Sequence, residues 1–404
     1  MNRSYPWMIA VLASVVLIIS NGMSISGLSV FDESLISEFG WSRGELKFRD
    51  MITFGTSALL APFGGIIIDK LGVKRCMLAG WVMLAVAYFL YSGVESLANL
   101  YFAHALLGVV LVFCGLNPAI ILVSSWFQKK RGVAIGITLV GTSLGGMIFP
   151  QYGTYMSELV GWRMAMTYAM IFPAFMFAMV ALFVRNGPEA EASTKPQDVA
   201  LSQGLGYVEA LKTKAFWAIS VVAMTTFYTV LAVQAHLFLY LRDLDFTPAS
   251  ATNAISLFFL CAVIGKFVFG LLSDYLNYKL VFIGNIIVML TGSACLAMMN
   301  SSLIWIAIVL FGLGWGGVYT TIQLSAVNCF GLVSAGKILG TIAVLDCLGG
   351  GLGIWLTGVF YSMYGDYQVA FMIFVVLIIT ALIFVTQIAT PAKQNHDMLA
   401  GAAK

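Results

Sequence analysis

Apolar runs long enough to cross a bilayer follow one another through nearly the whole 404-residue chain, and this succession limits the fold more than any other feature. A spanning helix needs roughly 20 mostly apolar residues, because the backbone must satisfy its own hydrogen bonds in lipid. Runs of that kind lie at 7–30, 48–68, 76–94, 99–127, 132–156 and 163–185, and again at 214–240, 250–273, 280–299, 302–329, 338–362 and 367–389. Charged residues make up 10% of the chain, against about 25% in soluble domains. A water-facing surface cannot be covered with so few charges, so the fold class is all-α integral membrane. The first run follows MNRSYPW without a small-residue cleavage site, and reads as a spanning helix rather than a removed leader.

The segment RNGPEAEASTKPQDVALSQG (185–204) is the one long polar stretch, and it lies near the midpoint. The predicted organisation is therefore an N-terminal six-helix bundle (1–185), a cytoplasmic linker (186–213), a C-terminal six-helix bundle (214–391) and a cytoplasmic tail (392–404). The halves repeat in sequence. GGIIIDKLGVK (64–74) aligns with FGLLSDYLNYK (269–279) at an offset of 205, matching Gly65 to Gly270, Asp69 to Asp274 and Lys74 to Lys279. RGVAIGITLVGTSLGG (131–146) aligns with AGKILGTIAVLDCLGG (335–350) at 204, matching Gly145 and Gly146 to Gly349 and Gly350. The expected fold is twelve transmembrane helices in two pseudo-symmetric bundles.

Lys and Arg crowd the loops on the side of the chain ends, as in Lys70, Lys74, Arg75 and the cluster QKKRG (128–132). Arg43, Lys47, Arg49, Arg163 and Arg242 fall in the opposite loops. The positive-inside rule then predicts a multi-pass protein of the cell (plasma or inner) membrane with both termini cytoplasmic. QKKRG sets topology first and contacts anionic lipid second; it is too short for nucleic acid.

The loop GGIIIDKLGVKR resembles the signature G-x-x-x-D-[R/K]-x-G-x-[R/K]-[R/K] of the major facilitator superfamily, with Gly65, Asp69, Lys70, Gly72, Lys74 and Arg75 at its positions. That resemblance implies alternating-access transport, with Gly65, Asp69, Lys70, Arg75 and the second-half Asp274 as a latch between the halves. NPAIILVSSWFQKKRGVAIGI (117–137), GWR (161–163) and MYGDY (363–367) are similar to the monocarboxylate and oxalate–formate transporter branch. In that branch a basic residue of the eighth span receives the substrate carboxylate, and Lys266 stands there. Two positions depart from it: Ala262 replaces an aspartate one turn earlier, and Asp346 is acidic where oxalate-exchanging members carry a second basic residue. A dianion is disfavoured.

Within these runs, away from their ends, Lys266 and Asp346 are the charged residues, each costing about 2.5–3.5 kcal/mol at a helix centre. Lys266 lies eight residues before Asp274 and Asp346 nine after Lys337, which puts both about 12–14 Å deep. As a working pair, a proton on Asp346 frees the Lys266 ammonium to hold a carboxylate, so proton and anion move together. Two plainer readings stay open: Lys266 snorkels to the interface, or the two form a structural ion pair. Asn21, Asn117, Tyr228, Tyr319 and Gln323 are further candidates for substrate binding, or equally for bonds between helices. His236, near the outer end of its span, reads as a wetted histidine, and His104 and His396 as weaker candidates still.

The glycines of LGGGLGIWLTG (348–358) precede no P-loop lysine, and no strand–glycine loop–helix unit exists for a nucleotide. The six cysteines show no metal or disulfide spacing. No cofactor, metal, catalytic residue or obligate protein partner is expected, and an enzyme is not. The expected partners are a small organic anion, a proton and the bilayer. The function predicted is proton-coupled symport of a lactate- or pyruvate-like monocarboxylate. Alternatives are transport of an amino acid or other zwitterion, export of a larger amphipathic compound, or a non-transporting receptor. The intact loop motif and the buried charges argue against the last.

Overall fold

The computed structural model describes residues 4–127, 130–185, 205–331 and 334–388, with the side chains of 69, 131, 132 and 335 left out. The fold is all-α, and among the described residues twelve helical stretches are long and apolar enough to cross a bilayer. Large apolar side chains such as Phe102, Ile171, Leu182 and Val376 are exposed along these stretches, as lipid-facing positions require. The basic cluster at 128–132, the polar segment 186–204 and the tail beyond 388 fall wholly or mostly outside the described residues.

The helices are α1 (Tyr5–Ser24), α2 (Asp32–Phe39), α3 (Arg43–Leu71), α4 (Val73–Ser92), α5 (Leu97–Cys114), α6 (Leu116–Ser124), α7 (Arg131–Val160), α8 (Trp162–Ala169) and α9 (Ile171–Phe183). After them come α10 (Tyr207–Leu211), α11 (Lys214–Asp243), α12 (Pro248–Tyr275), α13 (Tyr278–Ala297), α14 (Ile304–Phe330), α15 (Ala335–Tyr364) and α16 (Gln368–Gln387). A 3-10 turn, Ser26–Phe31, carries the first span on into α2.

Two boundaries differ from the sequence expectation for local physical reasons. The second span begins at Arg43 rather than near 48. Ser42 and Glu45 form a capping box there, Ser42 Oγ accepting from the Glu45 N–H and Glu45 Oε2 from the Ser42 N–H at 2.9 Å. The fourth span is two helices, because Gly115 is extended (φ −82°, ψ −153°) and Pro118 fits the first turn of a new helix.

The chain forms two compact units. Unit 1 comprises Met1–Gln197 with Ala232–Leu260 and Ile354–Gly365; unit 2 comprises Asp198–Leu231, Cys261–Gly353 and Asp366–Lys404. In unit 1 a cluster of small residues, Ala10, Ala13, Ala119 and Ala134, lets α1 approach α6 and α7 closely.

The sequence repeat does the same work in each unit. A Cβ on Gly145 would stand 2.3 Å from the Ile18 carbonyl, and one on Gly349 would stand 2.5 Å from the Met224 carbonyl, so each glycine lets its helix touch the backbone of the first span of its half. Lys74 donates to the Ala181 carbonyl at 2.7 Å. Its repeat partner Lys279 donates to the Thr386 and Ile388 carbonyls at 2.6 and 2.8 Å. Both lysines cap the carbonyl end of the last helix of their half, where the helix dipole favours a cation.

Candidate functional site

The glycines of α12 and α14 build the site in unit 2. A Cβ on Gly265 would lie 2.2 Å from the Leu313 carbonyl, and one on Gly316 would lie 2.0 Å from the Ala262 carbonyl and 2.8 Å from the Lys266 nitrogen. Only glycine permits this approach, which brings the residue after Gly265 beside the residue three after Gly316. Lys266 Nζ accordingly lies 5.4 Å from the Tyr319 ring centroid, within cation–π range.

Tyr319 is the hub. Its hydroxyl interacts with the Gln323 side chain one turn on, and it lies in the field of the Asp346 carboxylate on α15. Phe227 of α11 packs against its ring at 6.3 Å between centroids. Asp346 Oδ1 is buried with no hydrogen-bond partner. Four residues singled out in the sequence, Lys266, Tyr319, Gln323 and Asp346, thus come together from three helices of one unit. Lys266 and Asp346 are half-buried, while Gln323 is exposed. A cation, a phenol, an amide and an unpartnered carboxylate oxygen in one place suit an anionic organic ligand and a proton. Tyr228 is half-buried in the same unit, but its ring stands edge-on to Phe374 at 6.1 Å and its carbonyl lies against Gly353, with no contact to the Tyr319 group among the described residues.

Unit 1 holds a second charged group, which overturns the expectation that Lys266 and Asp346 are the charges inside the spans. Asp32, Lys47, Arg49 and His104 are at most 1% exposed and Asp50 is 7% exposed. Lys47 and Arg49 are not loop residues: the early start of α3 turns them into the bundle. Asp32 Oδ2 accepts from Lys47 Nζ at 2.5 Å, and Asp32 Oδ1 accepts from Arg49 Nη2. Arg49 Nη1 donates to the Tyr91 hydroxyl at 2.8 Å, and Arg49 Nε stands 3.6 Å from Asp50 Oδ2. Asp50 Oδ1 lies 4.0 Å from His104 Nδ1, which also meets Thr53 Oγ1 at 2.8 Å. Lys47 Nζ donates in addition to the Ala235 carbonyl of α11 at 2.6 Å.

Around this group runs a polar seam, also within unit 1. Arg43 grips Asp243 through two hydrogen bonds of 2.7 Å and lies over the Tyr361 ring at 3.7 Å. Arg242 grips Glu33 at 2.8 and 2.9 Å, and Gln234 Nε2 donates to Ser26 Oγ at 3.0 Å. His236 is buried against the Ile354 carbonyl at 2.9 Å, contrary to the expectation of a wetted histidine. The ends of α11 and α15 are thereby held to α2 and α3.

The profile of the Major Facilitator Superfamily matches residues 12–354 and 239–399. The chain belongs to the Major Facilitator Superfamily. This major facilitator protein is 23% identical over 359 residues to monocarboxylate transporter 13 of Rattus norvegicus, covering 86% of this chain and 81% of that one. It is 24% identical over 362 residues to the oxalate:formate antiporter of Oxalobacter formigenes, covering 86% and 84%. A bacterial homologue of the human lysosomal transporter Spinster, solved inward-facing and occupied, superposes with a TM-score of 0.76 at 14% identity, over 96% of both chains. The last likeness concerns the fold alone. The superfamily membership and the twelve spans make the protein a multi-pass membrane transporter.

The other sequence candidates of this transporter lie apart from the Tyr319 group. Asn21 (half-buried, Nδ2 without a hydrogen-bond partner) and Asn117 (exposed, in the first turn of α6) belong to unit 1. Of the latch set, Gly65, Lys70, Arg75 and Asp274 are exposed, and the side chain of Asp69 lies outside the described residues. Sequence reasoning missed Asp32, Lys47, Arg49 and Asp50, and ranked His104 below His236. The available signal was S-x-x-E at 42–45, a helix start placed before the charges.

Proposed function

We propose that the chain is a secondary active transporter that moves a small monocarboxylate together with a proton by alternating access of two six-helix halves. The observation that carries this is the convergence of Lys266, Tyr319, Gln323 and Asp346. Lys266 receives the carboxylate, Tyr319 and Gln323 orient it, with Tyr228 on the neighbouring helix, and Asp346 carries the proton. With the site empty the Asp346 carboxylate offsets the ammonium across the group; when Asp346 is protonated, the substrate anion takes its place. Electroneutral loading of this kind keeps a net charge out of the low-dielectric core, where it costs most. The relatives that carry monocarboxylates or oxalate and formate in their names support an anionic substrate, and a single cation fits a monoanion.

The loop residues Gly65, Asp69, Lys70, Arg75 and Asp274 act in this reading as the latch between halves, and Asn21 and Asn117 as supplementary polar contacts for substrate. In this reading both termini lie in the cytoplasm of a cell membrane, which the lysine- and arginine-rich loops support.

The test is uptake by the purified protein in liposomes, with lactate, pyruvate and formate compared against neutral amino acids. Saturable uptake of at least one monocarboxylate is expected. Saturable flux of an amino acid with none of any carboxylate would overturn the reading.

A further inference from the structure

We propose that the Asp50–His104 pair in unit 1 is a proton-binding site distinct from Asp346, and that loading it releases the far end of α11 from Lys47. Lys47 and Arg49 are matched by Asp32 and Asp50 when His104 is neutral, and all five side chains are buried. The group is neutral but has spare capacity for one proton. Asp50 Oδ2 and His104 Nε2 are both buried without a hydrogen-bond partner, and the facing atoms Asp50 Oδ1 and His104 Nδ1 are 4.0 Å apart. His104 Nδ1 keeps Thr53 Oγ1, so the open atoms Asp50 Oδ2 and His104 Nε2 are where an added proton meets no hydrogen bond already in place.

The consequence follows from who faces whom. Asp50 is faced by Arg49 and Lys47 of its own helix, Asp32 of α2, Tyr91 of α4 and His104 of α5. His236 of α11 faces Lys47, Arg43 and Arg49 from the other side. A proton on the pair removes the charge that Asp50 offers Arg49 Nε at 3.6 Å. Arg49 and Lys47 then share the single carboxylate of Asp32, with one excess positive charge in a site closed to water. Arg49 is anchored by Tyr91 and by the Leu28 carbonyl. Among the described residues Lys47 holds Asp32 and the Ala235 carbonyl, and its long stem lets it move. Lys47 is therefore the group that leaves, and its hold on α11 goes with it. Loss of the proton restores the grip. The site needs no substrate, so it stands or falls independently of the Lys266 assignment.

The test uses the full chain with its native cysteines replaced and spin labels at Ser37→Cys and Ala249→Cys, both exposed positions on the flanks of the seam. Distances between the labels are measured by electron paramagnetic resonance in liposomes without any carboxylate, from about pH 8 to about pH 5, the range a histidine–carboxylate pair covers. The wild-type background is expected to gain a longer-distance population as pH falls. Asp50→Asn should show that population throughout, insensitive to pH. His104→Gln should keep the response with its midpoint moved by about one pH unit. A wild-type distribution that ignores pH would overturn the proposal, and so would Asp50→Asn with the wild-type response. Where Asp50→Asn fails to fold, an unmoved midpoint in His104→Gln decides against it.

Discussion

Replacing Lys266 with glutamine is expected to weaken carboxylate uptake in liposomes by about ten- to hundredfold, chiefly as a raised half-saturation concentration. Glutamine is one atom shorter but can still donate a hydrogen bond, so the change removes chiefly the charge. Charge-assisted hydrogen bonds contribute about 1.5–3 kcal/mol each, and every 1.4 kcal/mol is a factor of ten in affinity. The same substitution removes a half-buried ammonium, and Asp346, left without it, can take up a proton and become neutral, so the folded protein should lose little stability. Those two outcomes together separate a binding role from a structural one. A structural ion pair or a snorkelling lysine would leave uptake unchanged, and a structural pair would lower stability.

The largest effect on stability is expected at Asp32. Asp32→Ala removes the carboxylate that both Lys47 and Arg49 contact, leaving two cations in a site with no exposure to water. Removing one member of a buried pair costs about 3–5 kcal/mol, a large share of the net stability of most folded domains. Thermal unfolding in detergent should show a strong loss for the single variant. The charge-balanced double variant Asp32→Asn with Lys47→Met should recover much of it, since Arg49 retains Asp50. Wild-type stability in Asp32→Ala would mean that the network is not what holds this end of the bundle together.

Legibility in the sequence followed the kind of interaction involved. The spans could be read because lipid demands long, uninterrupted apolar runs, and Lys266 and Asp346 could be read because each interrupts one alone. What brings Lys266 near Tyr319 could not be read. That depends on α12 and α14 touching at Gly265 and Gly316, two glycines among the 40 in the chain. The buried group in unit 1 was hidden for the opposite reason. Glu45, Lys47, Arg49 and Asp50 follow one another so closely that hydropathy alone marks a loop, whereas in three dimensions the last three, with Asp32, neutralise one another. The break at Gly115 was masked by apolar residues on both sides. The repeat gave more than expected: aligning Lys74 with Lys279 identified two side chains that cap the last helix of their respective halves.

Coupling of the carboxylate to the proton is the central claim, and one measurement bears on it directly. Liposomes holding wild-type protein are given an inward proton gradient and labelled lactate or pyruvate, with Asp346→Asn measured beside them. Wild type should accumulate the label above its external concentration, and collapsing the gradient should release it. Asp346→Asn should equilibrate the label without accumulating it. Accumulation by Asp346→Asn equal to that of wild type would contradict the account, because the proton would then be carried elsewhere.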